Sequence, residues 1–234
     1  MIDLSTNCLF VHIPKTAGQS VESAFLENAG LSWMDRSRFL LKKNNSIKKG
    51  PPRLAHLTAT EYTALGYLDV DVFSSLFKFC FVRNPFQRLV SEYQYQHSHI
   101  GFKKFVMEIL PKLLTDDYDR NNGLNRHIMP QWKFIYDKKG KLLVDFVGRF
   151  ENLQADFRVV TQKTMGKIVE LPYRNASHHG FREKWFSKIK PLQNKEHYSR
   201  HYDSESRNFV EEFYREDINF FGYEFNTEKS TMGI

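Results

Sequence analysis

Three stretches of the chain are almost continuously apolar, and each runs straight into a turn and a helix. Residues 8–13 read CLFVHI, the pattern of a strand buried on both faces near the middle of a parallel sheet. A helix is predicted from about Gln19 to the NAG that ends at Gly30, with Val21, Ala24, Phe25 and Ala29 on one face. LFKFCFV at 76–82 is a second core strand. It is followed by RNPFQRLVSEYQYQ, where Asn84 suits an N-cap and Pro85 a first helical position. Leu142–Gly148 is the third strand, with a helix from about Asn152. Repeated strand–turn–helix units predict an α/β fold, a central parallel sheet flanked by helices with ligand at the carboxyl ends of its strands. The length of 234 residues fits one domain, 1–234.

The segments between are polar. Residues 31–53 carry basic clusters, Asn-Asn and Gly-Pro-Pro, and are predicted to be an exposed loop or hairpin. Thr58 and Glu61 stand at capping-box spacing ahead of a short helix. Residues 116–126 are predicted to be a second exposed loop. LPYRNASHHGFREKW is a polar loop. The last segment is predicted to be one amphipathic helix, capped at Asp203 or Ser204 and ending before Gly222.

Composition narrows the classes. At 41% hydrophobic and 15% aromatic the chain carries material for a real core and is not a disordered segment. Lys and Arg total 34 against 27 Asp and Glu, a net charge of +7. That surplus suits anionic partners or a solvated basic surface. Cys8 and Cys80 both lie in apolar runs and read as packing thiols, consistent with a reducing compartment. No run approaches the ~18 apolar residues of a membrane span. The opening MIDLSTN enters the first strand at once and leaves no room for a signal peptide. A cytoplasmic location is therefore expected, a domain cut from a Golgi lumenal protein being the alternative.

The chemistry sits in the two turns. A nucleoside-triphosphate loop would read G-x-x-x-x-G-K-S/T. Here Lys15 and Thr16 come first and Gly18 follows. The amides of residues 16–20, the positive end of the following helix, the Thr16 and Ser20 hydroxyls and the Lys15 ammonium together can hold a phosphate. The second core strand ends in Arg83 rather than in an aspartate, which disfavours a magnesium-dependent phosphotransferase. Arg88 and Ser91 share a helix face after it, so Arg83, Arg88 and Ser91 are candidates for a second phosphate. A nucleotide phosphorylated on both its 5′ and 3′ positions would occupy both turns.

At these residues a resemblance appears. IPKTAGQS resembles the 5′-phosphosulfate loop of sulfotransferases that use 3′-phosphoadenosine 5′-phosphosulfate (PAPS). FVRNPFQRLVSEY resembles their 3′-phosphate element, R-N/D-P-x-x-R-x-x-S. RLAHLTATEY, HIMPQWKFI, DFVGRFENLQADF and YDSESRNFVEEFYREDINFFGYEF resemble further blocks of the family. The nearest groups are the heparan-sulfate 2-O-sulfotransferases and the chondroitin/HNK-1 sulfotransferases. Gln19 departs from the pattern, where Gly, Thr or Ser is commoner.

The resemblance implies a P-loop-type sheet and in-line transfer of a sulfuryl group from PAPS to a saccharide hydroxyl, with no metal. It implies donor binding by Lys15, Thr16, Ala17, Gly18, Gln19, Ser20, Arg83, Arg88 and Ser91. Lys15 would stabilise the leaving phosphate, and His56 would take the acceptor proton. Glu22 and His12 are rival bases, His12 reading rather as a strand-end histidine that shapes the loop. Glu22, His127, Gln131, Arg174 and His178 are candidates for the acceptor site. Arg126 and His179 could join them or be solvated loop residues. Arg149 and Glu151 read as a structural ion pair. The basic balance extends the acceptor class to an anionic polysaccharide or glycolipid. The rival functions are an ATP-dependent kinase and a non-catalytic nucleic-acid-binding module, and no nucleic-acid-reading motif is found.

Overall fold

The structure is a computed structural model of the 234-residue chain and describes residues 1–115, 123–171 and 196–227. Four strands form one sheet in the order β1 (Ile2–Asp3), β2 (Cys8–Val11), β3 (Phe77–Val82) and β4 (Phe146–Arg149). β2, β3 and β4 run parallel, and β1 pairs antiparallel at the edge. This is the expected α/β sheet flanked by helices, with one edge strand added that is too short to leave a hydrophobic pattern.

Alternation along the strands divides the core. Phe10, Phe79 and Phe81 face α1 (Gly18–Asn28) and the helix Leu153–Met165, meeting Val21, Phe25 and Phe157. Leu9, Val11, Cys80 and Val82 face the other way, toward Tyr62 of α2 (Ala59–Ala64), Phe134 and Ile135. A short helix, α3 (Val70–Ser75), leads into β3. Gly148 on β4 lies under the Phe81 ring, and a Cβ there would come within 2.5 Å of it. Beyond the carboxyl ends of the strands a third cluster gathers Phe86 and Leu89 of α4 (Pro85–Glu92) with Phe105, Val210 and Tyr214.

Local chemistry sets the boundaries. The capping box at Thr58 and Glu61 is present, as are the Asn84 cap and Pro85 in the first turn. The third strand starts four residues later than expected. The Asp145 carboxylate accepts the Lys78 amide at 2.7 Å and so occupies the ladder before Phe146. The last helix is two helices, Ser204–Phe213 and Arg215–Phe221. The break at Tyr214 turns Asp217 inward, where its carboxylate accepts the amides of Gln131 and Trp132 at 2.8 and 2.9 Å. Within 31–53 the chain forms a 3₁₀ helix at Trp33–Phe39 and a single turn at Ile47–Lys49, and Lys43 bridges Arg53 as in a hairpin. Arg126 lies in a helix, Leu124–Ile128, rather than in a loop.

Three sequence expectations are corrected. Arg88 is taken up by the framework. It is 1% exposed, and its Nε, Nη1 and Nη2 donate to the carbonyls of Pro14, Met129 and His127 at 3.0, 2.9 and 2.8 Å. Gln131 is no acceptor ligand. It is fully buried, its Oε1 accepting the Arg83 amide at 2.9 Å and its Nε2 donating to the Arg83 carbonyl at 2.8 Å. Arg149 and Glu151 do not pair with each other among the described contacts. Arg149 donates to the Phe221 carbonyl, and Glu151 accepts from the Asn84 amide and the Tyr223 hydroxyl.

Arg88→Lys removes a three-way fork that an ammonium cannot reproduce. Stability is expected to fall by about 2–4 kcal/mol in urea unfolding. Unchanged stability with weakened nucleotide binding would restore the phosphate role.

Candidate active site

The turn after β2 is built for an anion. Lys15 and Ala17 have φ of 70° and 67°, and Thr16 between them does not share the positive φ. Alternating handedness of this kind turns successive amides toward one concavity. Among the described residues no carbonyl accepts from the amides of Thr16, Ala17, Gly18 or Gln19, whereas the Ser20 amide returns to the Ala17 carbonyl at 3.0 Å. The usable amides are therefore 16–19 rather than 16–20. Thr16 is buried and its hydroxyl donates to the Ile13 carbonyl at 2.8 Å, which closes the underside of the turn. Ser20 is buried in the first turn of α1 and Gln19 is exposed. Gly18 is required by space: a Cβ there would lie 2.0 Å from Nε2 of His12.

His12 thus lies directly beneath the turn. Its Nδ1 is 2.6 Å from Oε1 of Glu22, and both residues are buried. Glu22 is therefore turned into the protein toward His12 and does not present itself to an acceptor, which corrects its candidacy there. The His56 ring meets His12 edge-on at 4.6 Å, and its Nδ1 lies 3.3 Å from the His12 carbonyl. A carbonyl only accepts, so this contact requires the proton on Nδ1 and leaves Nε2 as the basic nitrogen. Burial, then the charges of His12 and His127, hold the His56 pKa well below 6.5. Arg53 adds to this, and the bond to the His12 carbonyl opposes it. His56 is a neutral imidazole at neutral pH.

His127 stands on the other side of His56 at 5.4 Å. Its Nδ1 is 2.9 Å from Oε2 of Glu92, a carboxylate buried on α4. Tyr95 stacks on His127 at 6.2 Å, and the Lys15 ammonium lies 4.1 Å from the centre of the Tyr95 ring. A continuous run of side chains thereby joins Lys15 to His56.

Arg83 follows the last residue of β3. Its Nη1 donates to the Lys15 carbonyl at 3.3 Å, and its guanidinium lies 4.0 Å over Phe150. The buried Nε has no hydrogen-bond partner. Burial lowers its pKa to about 10, with Glu151 opposing that shift and Arg88 adding to it. A buried cation with an unmet donor is suited to an anion that completes it. Ser91 is half-buried on α4, three residues beyond Arg88.

The fold therefore brings together Lys15, the 16–19 amides, Arg83, His12, His56 and His127. Arg88 and Gln131 serve as framework. Arg174, His178 and His179 lie outside the described residues. Arg126 is engaged by Glu61, its Nη1 and Nη2 donating at 2.8 and 2.7 Å. Sequence reading missed Glu92 and Tyr95. The only hint was their place in SEYQYQ directly after Ser91, where the helix widens into a π-turn over Tyr93–His97. No group of three or more His, Cys, Asp or Glu with metal-binding geometry occurs among the described residues. None of their helices is long and apolar enough to cross a membrane.

An uncharacterized protein of Archaeoglobus fulgidus is 30% identical over 114 residues, which is 44% of this chain and 78% of that protein. No solved structure gives a significant match. The family model described as "Sulfotransferase family" matches residues 1–224, a span that includes both turns and all three histidines, and the chain belongs to that family.

Proposed function

We infer that the protein transfers a sulfuryl group from PAPS to a hydroxyl of a saccharide. The observation that carries this reading is the pairing of two cationic sites through one carbonyl. Arg83, with its unmet buried Nε, donates to the very residue, Lys15, whose turn exposes the 16–19 amides. One nucleotide with 5′ and 3′ phosphates meets both. PAPS supplies the activated sulfuryl group and a good leaving phosphate.

The chain's own residues do the rest. The amides of 16–19 and the N-terminus of α1 hold the 5′ end. Arg83 and Ser91 hold the 3′-phosphate and fix the register. Lys15 offsets the charge that builds on the departing oxygen. His56, kept neutral, takes the acceptor proton on Nε2. Burial around the three histidines excludes water that would compete with the acceptor. An anionic saccharide suits the neighbourhood, because exposed Lys42, Lys43 and Arg53 stand on the hairpin that leads three residues later into His56. The kinase alternative is not favoured, since β3 is followed directly by Arg83 where a magnesium site needs a carboxylate.

Binding is tested by thermal unfolding with 3′-phosphoadenosine 5′-phosphate. At ~100 times its dissociation constant the nucleotide is expected to stabilise by about 2.7 kcal/mol. The gain should shrink sharply for 5′-AMP and vanish in Arg83→Ala. A larger shift with ATP and magnesium would bring the kinase reading forward. Lys15→Ala is expected to lower kcat about 10²–10³-fold with the fold intact, measured by transfer of labelled sulfate. The depressed His56 pKa fixes the sign of the pH dependence. Below its ordinary 6.5 the imidazole still lacks its proton, so kcat/KM should stay level as pH drops through that value and fall only at lower pH. An acid limb centred at 6.5 or above, at unchanged donor affinity, would remove His56 from the role.

A further inference from the structure

His56 and His127 are anchored very unequally. His127 is tied to α4 twice, its carbonyl accepting from Nη2 of Arg88 at 2.8 Å and its Nδ1 meeting Glu92 at 2.9 Å. His56 sits in a single turn, Leu54–His56, held by its amide to the Arg53 carbonyl at 3.1 Å and by the long 3.3 Å contact of Nδ1. One strong connection joins the two stretches. Arg126, the neighbour of His127, makes a two-pronged ion pair with Glu61, five residues beyond His56. Glu61 is itself fixed, since its Oε2 also accepts the Thr58 amide at 2.8 Å and the Thr58 hydroxyl at 3.0 Å. The side chains are 12% and 23% exposed, so water screens the pair only in part.

We propose that Arg126 is a positioning residue, and that its fork onto Glu61 holds the His56 segment against His127 and so keeps His56 buried. Planar two-point contact fixes direction as well as distance, which a single charge cannot do. The groups facing His56 are His12 from the end of β2, His127 from the helix Leu124–Ile128, and Arg53 from its own segment. Glu22 and Glu92 stand behind the first two. Releasing the clamp lets water reach His56 and lets His56 draw away from His127. Both changes remove influences that disfavour imidazolium. The inference rests on the reading of His56 as base for its catalytic consequence, though not for its structural one.

The test follows the His56 ring nitrogens by ¹H–¹⁵N NMR during a pH titration of the whole chain, with His56→Asn to assign them. In the wild type the ring should stay neutral well below 6.5, protonated on Nδ1. In Arg126→Ala its pKa should rise toward 6.5, and kcat should fall tenfold to a hundredfold, while stabilisation by 3′-phosphoadenosine 5′-phosphate is kept. Arg126→Lys, with one contact in place of two, should fall between. Arg126→Gln replaces the alanine variant if that fails to fold. An unmoved His56 titration in a destabilised Arg126 variant overturns the proposal and reduces the pair to a stabilising one. The outcomes separate from those of the function. If the nucleotide fails to stabilise the wild type but the His56 titration moves, the clamp stands and PAPS use falls. If the nucleotide binds and the titration is unmoved, the clamp falls alone.

Discussion

The guanidinium of Arg88, sealed from water, donates to carbonyls on two separate stretches of chain: Pro14 in the turn after β2, and His127 and Met129 at the end of a helix more than a hundred residues later in sequence. Turn carbonyls of this kind have no partner within their own segments, and leaving them bare in the interior would be costly. One planar cation meets all of them and fixes their mutual geometry. The turn after β2 is thereby tied to the histidine that flanks His56. α4, which carries Arg88, also carries Glu92, so the same helix that pins the His127 backbone orients its ring. The rest of the site takes its place from this staple.

Electrostatics then separates the roles of chemically similar groups. His12 and His127 each face a buried carboxylate, Glu22 and Glu92, whereas His56 between them faces a carbonyl. The carbonyl fixes the proton of His56 on the facing nitrogen, Nδ1, while burial keeps the ring neutral. The carboxylates orient the two outer rings, and the carbonyl orients the central one with its Nε2 left unprotonated. Gly18 belongs to the same arrangement, because only a residue without a side chain lets the His12 ring lie against the phosphate turn.

Much of this was legible in the sequence, and the missing parts share a cause. The three parallel strands, the Asn84 cap, the Thr58–Glu61 box and the unusual turn at Lys15 all depend on residues close together in the chain, where spacing and side-chain type carry the signal. Glu92, Tyr95 and the Arg126–Glu61 pair depend on contacts between distant segments, which one sequence does not display. The two-residue β1 is too short to leave a period. The break at Tyr214 is invisible for the same reason, since it is imposed by the demand of the Gln131 and Trp132 amides for Asp217. Sequence pattern made one continuous helix of that segment, and tertiary hydrogen bonding divided it.

The two arginines of RNPFQR show how far residue type alone underdetermines chemistry. Both are cations at a strand–helix junction, Arg88 buried and Arg83 half-buried, and either fits an anion-binding motif. Arg88, one turn into α4, points back beneath the turn, where backbone carbonyls converge and meet its Nε and both terminal nitrogens. Arg83, at the strand end, has its backbone clamped by Gln131 and its guanidinium laid over Phe150, with one terminal nitrogen on the Lys15 carbonyl and Nε unmet. Phe150 supports the face of the cation without satisfying its N–H groups. The difference is five residues and the number of carbonyls within reach. An arginine whose donors are met by backbone ties the framework together, while one held rigidly with a donor left over keeps the capacity to meet an anion.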